Sequence, residues 1–243
     1  MAEITIRSLN NKNDYHMNEA YKALRTNIEF AGEDKKAFVV TSCMPNEGKS
    51  TTTMNLAVSL TEAGKNVCFV DADLRKSVLA GRYHVKGSYK GLTHYLTGKA
   101  ELTECIFNTN INRLDMILSG QVPPNPSELL GSKRFSYLIQ TLRDHYDYVI
   151  VDAPPVGSVI DAVVISRATD ASIIVCASGE VSYRFLQDVQ NQLEMAGSHI
   201  LGVVLNKVPI ASGNKYYGKY YGKYYGKYYG KYYGDKAEPV DKA

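Results

Sequence analysis

Tryptophan is absent from this 243-residue chain, phenylalanine occurs only six times, and there are four cysteines. Cys43, Cys68, Cys105 and Cys176 include no C-x-x-C pair, which argues against a disulfide scaffold or a zinc site and fits a reducing compartment. The five histidines show no metal-ligand spacing and take no role. No stretch approaches the ~18 consecutive apolar residues of a membrane span. The start, MAEITIRSLN, lacks the basic, apolar and small-residue order of a secretory signal. A cytoplasmic location is therefore expected. With 44% hydrophobic and 22% charged residues, the chain is neither wholly disordered nor collagen-like, and its length suits one domain with a short appendage.

Charge and tyrosine are concentrated at one end. Seven lysines against three acids follow position 210, giving that segment +4 while the whole chain carries +3, so residues 1–210 sit near −1. A basic total therefore implies no nucleic-acid binding by the body. Residues 215–234 read KYYG five times, and ten of the 19 tyrosines fall there: Tyr216, Tyr217, Tyr220, Tyr221, Tyr224, Tyr225, Tyr228, Tyr229, Tyr232 and Tyr233. The repeat has no aliphatic residue to offset the ~1–2 kcal/mol per residue of backbone ordering. Residues 211–243 are expected to be disordered.

The body alternates apolar runs with helical patterns. AFVVTS (37–42), NVCFVD (66–71), RLDMILS (113–119), YVIVDA (148–153), SIIVCAS (172–178) and ILGVVLN (200–206) read as strands covered on both faces. Residues 15–30 (with Met17, Ala20, Leu24 and Ile28 as the apolar face), 50–63, 127–146 and 180–196 read as helices, and one or two short helices fit within 80–112. The alternation predicts an α/β fold with a doubly wound, mostly parallel sheet.

CMPNEGKST (43–51) follows the first strand and opens a helix, the order that a phosphate-binding loop requires. The loop of Pro45, Asn46, Glu47, Gly48, Lys49, Ser50 and Thr51 would hold ATP, Pro45 by shaping the turn and the others through backbone N–H groups, Lys49 would bridge the β- and γ-phosphates, and Ser50 would supply a hydroxyl to Mg²⁺. Cys43 stands where the general pattern has its first glycine. Asn46, which tolerates positive φ better than most residues, keeps the turn feasible.

Two strands end in acids, FVDADLR (69–75) and YVIVDAPP (148–155). Asp71, Asp73 and Asp152 are expected to converge where the loop lies, because ligands bind at the carboxyl ends of parallel strands. Asp152 would hold the metal, with Asp71 as a further ligand, and either Asp71 or Asp73 would take a proton from an attacking hydroxyl. Neighbouring carboxylates are costly unless a cation sits between them, and Arg75 follows the pair. Capping of the next helix is the alternative for each aspartate, and a helix-surface charge is the alternative for Arg75. Asn206, at the end of the sixth strand, is a candidate adenine contact or a turn former.

PNEGKST, VDADLR and VIVDAPP together resemble the bacterial tyrosine kinases of capsular and extracellular polysaccharide synthesis. The resemblance extends through Glu19 to Asn27, Gly91-Leu92 with Leu96 and Gly98, Pro123-Pro124-Asn125-Pro126-Ser127-Glu128-Leu129-Leu130, and the C-terminal tyrosine cluster. It implies a P-loop fold of the MinD/ParA-like type over residues 1–210, with residues 1–35 as a helical oligomerisation segment. It implies an ATP- and Mg²⁺-dependent protein-tyrosine kinase that phosphorylates its own tail between subunits of a ring. A membrane-embedded polysaccharide co-polymerase or adaptor would recruit it to the inner face of the membrane and activate it, and a protein-tyrosine phosphatase would reverse the reaction. The family's Glu-Arg-Arg pattern, which implies ring assembly, falls on Glu19, Lys22 and Arg25, with an ordinary solvated helix face as the alternative. In this reading Lys49, Mg²⁺ and Arg75 stabilise charge on the transferring group.

Two rivals differ in class. A partitioning-type ATPase switch would carry a second lysine early in the loop, where this chain has Met44. A nucleic-acid-binding array could use interleaved Tyr and Lys for stacking, but it leaves the loop and the aspartates unexplained.

Overall fold

The computed structural model describes residues 4–6, 15–32, 34–83, 85 and 88–209. The chain divides into Met1–Lys207 and Val208–Ala243. Only residues 208 and 209 of the second unit are described, so the KYYG array and its ten acceptor candidates lie outside the described residues.

The first unit is built on a sheet of β1 (Ala37–Ser42), β2 (Val67–Asp71), β3 (Ile106–Asn108), β4 (Leu114–Ile117), β5 (Tyr148–Asp152), β6 (Ala171–Ala177) and β7 (Ile200–Asn206). Its order is β3-β4-β2-β5-β1-β6-β7. All pairings are parallel except β3 with β4. The six expected strands are present, β1 and β7 with the expected ends and the others shortened or shifted by a residue or two. β3 is an addition: three residues at an antiparallel edge, too short and too exposed to leave an apolar run. β1, β2 and β6 are buried throughout, which accounts for their unbroken Val, Ile and Phe content.

Helices cover both faces. On one lie α1 (Tyr15–Glu29) and α2 (Lys49–Glu62), where Met54, Leu56, Leu60 and Ile28 meet Phe38, Val40, Phe69 and Ile150. On the other, α7 (Lys133–His145), α8 (Asp161–Ser166) and α9 (Tyr183–Met195) cover Val39, Val70, Val151 and Ile174. In α7 the buried residues Phe135, Leu138, Ile139 and Leu142 keep the spacing of one helical face, and the Ser132 side chain caps it by accepting from Phe135 N–H at 3.3 Å.

Three helical expectations need correction. The pattern over 127–146 is two helices, α6 (Pro126–Leu130) and α7, interrupted at Gly131 and restarted by the Ser132 cap. The weak region contains α3 (Leu79–Arg82), α4 (Leu92–Leu96) and α5 (Leu102–Cys105) besides β3. In α1, Met17 and Ala20 are exposed. The inward face runs instead through Tyr21, Leu24, Arg25 and Ile28, because polar contacts fix it: Asn55 Nδ2 donates to the Tyr21 hydroxyl at 3.2 Å and Arg25 donates to Ser59 O at 2.7 Å. All four cysteines are free and buried. Among the described residues, no helix is long and apolar enough to cross a membrane.

Candidate active site

Because β2, β5, β1 and β6 run parallel, their carboxyl ends share one edge, and the loop after β1 lies beside the ends of β5 and β6. Asn46 (φ 67°) and Gly48 (φ 85°) adopt the left-handed conformation that turns this loop into α2. At Gly48 a Cβ would run into Asn206 Nδ2, so the position needs glycine on both counts.

Glu47, expected among the ATP contacts, is turned inward. It is 1% exposed, and its carboxylate accepts from Met44 N–H at 2.6 Å and Ala177 N–H at 3.0 Å. It braces the loop against β6. The Glu47 carbonyl accepts from Asn206 Nδ2 at 2.8 Å, so Asn206 holds the loop from β7. Pro45 and Asn46 form the bend between these two anchors, and Ser50 and Thr51 open α2.

Lys49 is buried, and its ammonium lies 2.6 Å from Asp152 Oδ1 and 3.2 Å from Ser50 Oγ. Thr53, which sequence reasoning passed over, donates to Lys49 O at 2.8 Å and to Asp152 Oδ1 at 3.3 Å. A cationic group is thus already seated between the Ser50 hydroxyl and the Asp152 carboxylate. Hydroxyl and carboxylate oxygens are the hard donors that Mg²⁺ takes, so these residues fit that ion.

Asp71 and Asp152 are register partners on adjacent strands. Asp71 is fully buried and accepts from the Ser77 hydroxyl in a short hydrogen bond, from Asp73 N–H at 3.3 Å and from Ser119 N–H at 3.4 Å. Burial pushes its carboxyl up to about 7. The Asp152 charge adds to that, while Ser77 and Lys49 oppose it.

The convergence of three aspartates is not observed. Asp73 Oδ1 accepts from Arg75 N–H at 3.2 Å and Lys76 N–H at 3.0 Å, which closes a turn over 74–76 and caps no helix, since α3 begins at Leu79. Among the described residues no three His, Cys, Asp or Glu side chains are grouped to hold a metal. Arg75 pairs with a different carboxylate. Its Nε and Nη2 form a fork on Asp161 at 2.7 and 3.0 Å, and Nη2 also donates to Ser127 Oγ at 2.9 Å. Asp161 is fully buried and offers a planar partner that matches the guanidinium, which a small pair of carboxylates two residues apart does not. The fork ties together the segments that follow β2, β4 and β5. Ser127 lay within the PPNPSELL motif, but nothing in the sequence marked Asp161 as its partner.

At the proposed oligomerisation helix, Lys22 pairs with Glu19 at 2.8 Å on the exposed side, while Arg25 reaches Ser59 and is half-buried. Arg25 is thus committed to α2, and Glu19 with Lys22 forms an i, i+3 surface pair.

A phosphate loop with its lysine on a strand-end aspartate, set in a parallel sheet of this order, defines a P-loop nucleotide-binding protein. A family model described as an AAA domain matches residues 46–200. The chain is 47% identical over 198 residues to the tyrosine-protein kinase CpsD of Streptococcus pneumoniae, covering 82% of this chain and 87% of that one. The kinase domain of the Escherichia coli tyrosine kinase ETK superposes with a TM-score of 0.81 at 35% identity, over 88% of this chain and 85% of that one. The septum site-determining protein MinD of Pyrococcus horikoshii gives 0.60 at 27%, over 70% of each chain. The chain belongs to the bacterial tyrosine-protein kinases and shares its sheet with the MinD ATPases. The switch-ATPase alternative is the less supported of the two.

Proposed function

We propose that this kinase transfers the terminal phosphoryl group of ATP to tyrosines of its own C-terminal cluster, between copies of the chain, and so regulates synthesis and export of a capsular or extracellular polysaccharide. The observation that carries the proposal is the pairing of Lys49 with Asp152 beside a separately buried Asp71, in a chain that also holds ten tyrosines in a lysine- and glycine-spaced array.

Backbone N–H groups from Asn46 to Thr51 cradle the phosphates, with Pro45 shaping the bend and Glu47 and Asn206 keeping that backbone in place. Ser50 and Asp152, with Asp71 nearby, would hold Mg²⁺, which when bound supplies positive charge to the phosphate oxygens. Lys49 is released from Asp152 to the β- and γ-phosphates. The attacking phenol has an ordinary pKa of ~10 and is protonated at neutral pH, so a base is required. Asp71 is better suited than Asp73 because a carboxyl raised to about 7 matches the operating pH. Arg75 acts at a distance from the phosphates, by fixing the segments around Asp71 and Asp161.

Glu19 and Lys22 remain on an exposed helix face available to a ring contact. A membrane adaptor would recruit and activate the kinase at the inner face of the membrane, and a phosphatase would reset it. Each phosphotyrosine adds about −1.5 to −2, so three outweigh the +4 of the tail and loosen the assembly. The test is mass spectrometry of the full chain with Mg-ATP and an adaptor peptide. Eighty-dalton increments should accumulate on residues 216–233. A chain lacking 211–243 should bind ATP yet lose nearly all phosphotyrosine, and retention of most of it would refute the acceptor assignment.

A further inference from the structure

One cation at this edge has no part in the chemistry above. Arg82 closes α3, and its Nη1 donates to Thr51 Oγ1 at 3.3 Å. Lys49 is neutralised by Asp152 and Arg75 by Asp161, but Arg82 forms no ion pair among the described residues. Its side chain is exposed, while the residues that carry it are not: Leu79 and Tyr83 are buried in the core on the α2 side of the sheet. Arg82 is therefore presented on a short anchored turn.

The anchor carries a second polar group at this end. The Tyr83 hydroxyl is buried beside the Arg82 side chain, with no acceptor in contact among the described residues. Burial raises the phenol to about 12, and of the charged groups that act on it Arg82 opposes that rise while Asp152 and Asp71 add to it, so Tyr83 stays protonated beside the site. At the first turn of the 14-residue helix α2 the Arg82 guanidinium rests on the Thr51 hydroxyl and, among the described residues, is neutralised by no carboxylate. An anion is the complement to such a cation.

We propose that Arg82 binds the α-phosphate of the nucleotide, with Thr51 positioning its guanidinium. The assignment follows from order along the loop. Lys49 and Ser50 serve the β- and γ-phosphates and the metal, and Thr51, the next residue into the helix, faces the α-phosphate. The inference deepens the nucleotide reading given above and rests on it. Because ADP and ATP share the α-phosphate, Arg82 contributes equally to both.

The test is titration of the full chain with Mg-ADP and with a non-hydrolysable Mg-ATP analogue. Arg82→Gln should weaken both by the same factor, roughly tenfold or more, the scale of one charge-assisted hydrogen bond. Arg82→Lys should recover part of the loss, and the melting temperature without ligand should stay at the parental value. Parental affinity in Arg82→Gln, a loss confined to the ATP analogue, or a drop in ligand-free melting temperature that Arg82→Lys does not restore each overturns the proposal. Lys49→Ala in the same titration separates the two levels. If it loses nucleotide while Arg82→Gln does not, only the α-phosphate contact is wrong. If it binds as the parent does, the nucleotide reading falls and this inference with it.

Discussion

Two strand ends lie side by side at the centre of this edge, and they solve the same problem in different ways. At the end of β5, Asp152 is buried against the Lys49 ammonium at 2.6 Å, with Thr53 as a second donor. At the end of β2, Asp71 is buried against a serine hydroxyl and backbone N–H groups, with no ion pair among the described residues. A buried carboxylate with a fixed counter-charge is suited to staying ionised, whereas one surrounded by neutral donors is suited to exchanging a proton. The difference separates an electrostatic role from an acid–base role between two residues that are register partners.

Breaking the β5 side should have the largest effect. Lys49→Met should abolish phosphotyrosine formation and, by leaving Asp152 buried and unpaired, cost ~3–5 kcal/mol of stability. Lys49→Met with Asp152→Leu should regain much of that stability in urea unfolding and none of the activity. A single variant as stable as the parent would show that the pair is not the counter-charge arrangement described.

On the β2 side the sign is opposite. Asp71→Asn should lower the rate of tail phosphorylation by roughly 10²–10⁴, while Asp73→Asn, which keeps an oxygen for the Arg75 and Lys76 N–H groups, should cost much less. With a folded-state carboxyl near 7 against an ordinary 3.8, the native state binds the extra proton, so ligand-free stability from this group falls as pH rises from about 4 to 7. Asp71→Asn should abolish that decline and stabilise the protein above pH 7, on the order of a few kcal/mol. Equal pH dependence in parent and variant would remove Asp71 as the protonated group.

The two sides also differ in how far the sequence disclosed them. The β1 and β5 side was legible because its chemistry is local: GKS sits between a buried strand and a helix, and VIVDAPP marks a strand end. The fold was legible for the same reason, since doubly covered strands show as unbroken apolar runs. Around β2 the arrangement depends on partners far along the chain. Asp161 lies 86 residues from Arg75, and Ser127 lies 52 away. Spacing within DADLR suggested a cation between its carboxylates, yet tertiary packing gave Arg75 a planar carboxylate elsewhere. The inward turn of the Glu47 side chain left no signal in the sequence, because only the placement of the Ala177 and Met44 N–H groups draws its carboxylate in. β3 and the two-helix reading of 126–145 were hidden by brevity.

Glu47 offers a smaller perturbation of the β1 side. In Glu47→Gln one of the two N–H groups on the carboxylate would face an amide NH₂ in place of an oxygen. Loss of one buried acceptor costs ~1–3 kcal/mol, and the loosened loop should bind nucleotide several-fold more weakly without losing it. Calorimetric titration checks this. Affinity lost as completely as in Lys49→Ala would make Glu47 a direct ligand after all.

The smallest effect belongs to the fork that closes the β2 side. Burial pushes the Asp161 carboxyl up, but the hydrogen bonds from Arg75 and Ser127 outweigh it, and the group is held below its ordinary 3.8. The sign follows directly. A depressed folded-state value stabilises the native protein above 3.8, and the contribution disappears as pH falls through the lower folded value. Arg75 is 38% exposed, so solvent screens much of the ionic gain. Asp161→Asn should therefore lower the urea midpoint modestly at pH 7 and leave it unchanged at the most acidic pH where the protein still folds, because a protonated Asp161 and an asparagine then present nearly the same group to Arg75. A destabilisation that persists undiminished at low pH would mean that shape and not charge holds the segments after β2, β4 and β5 together.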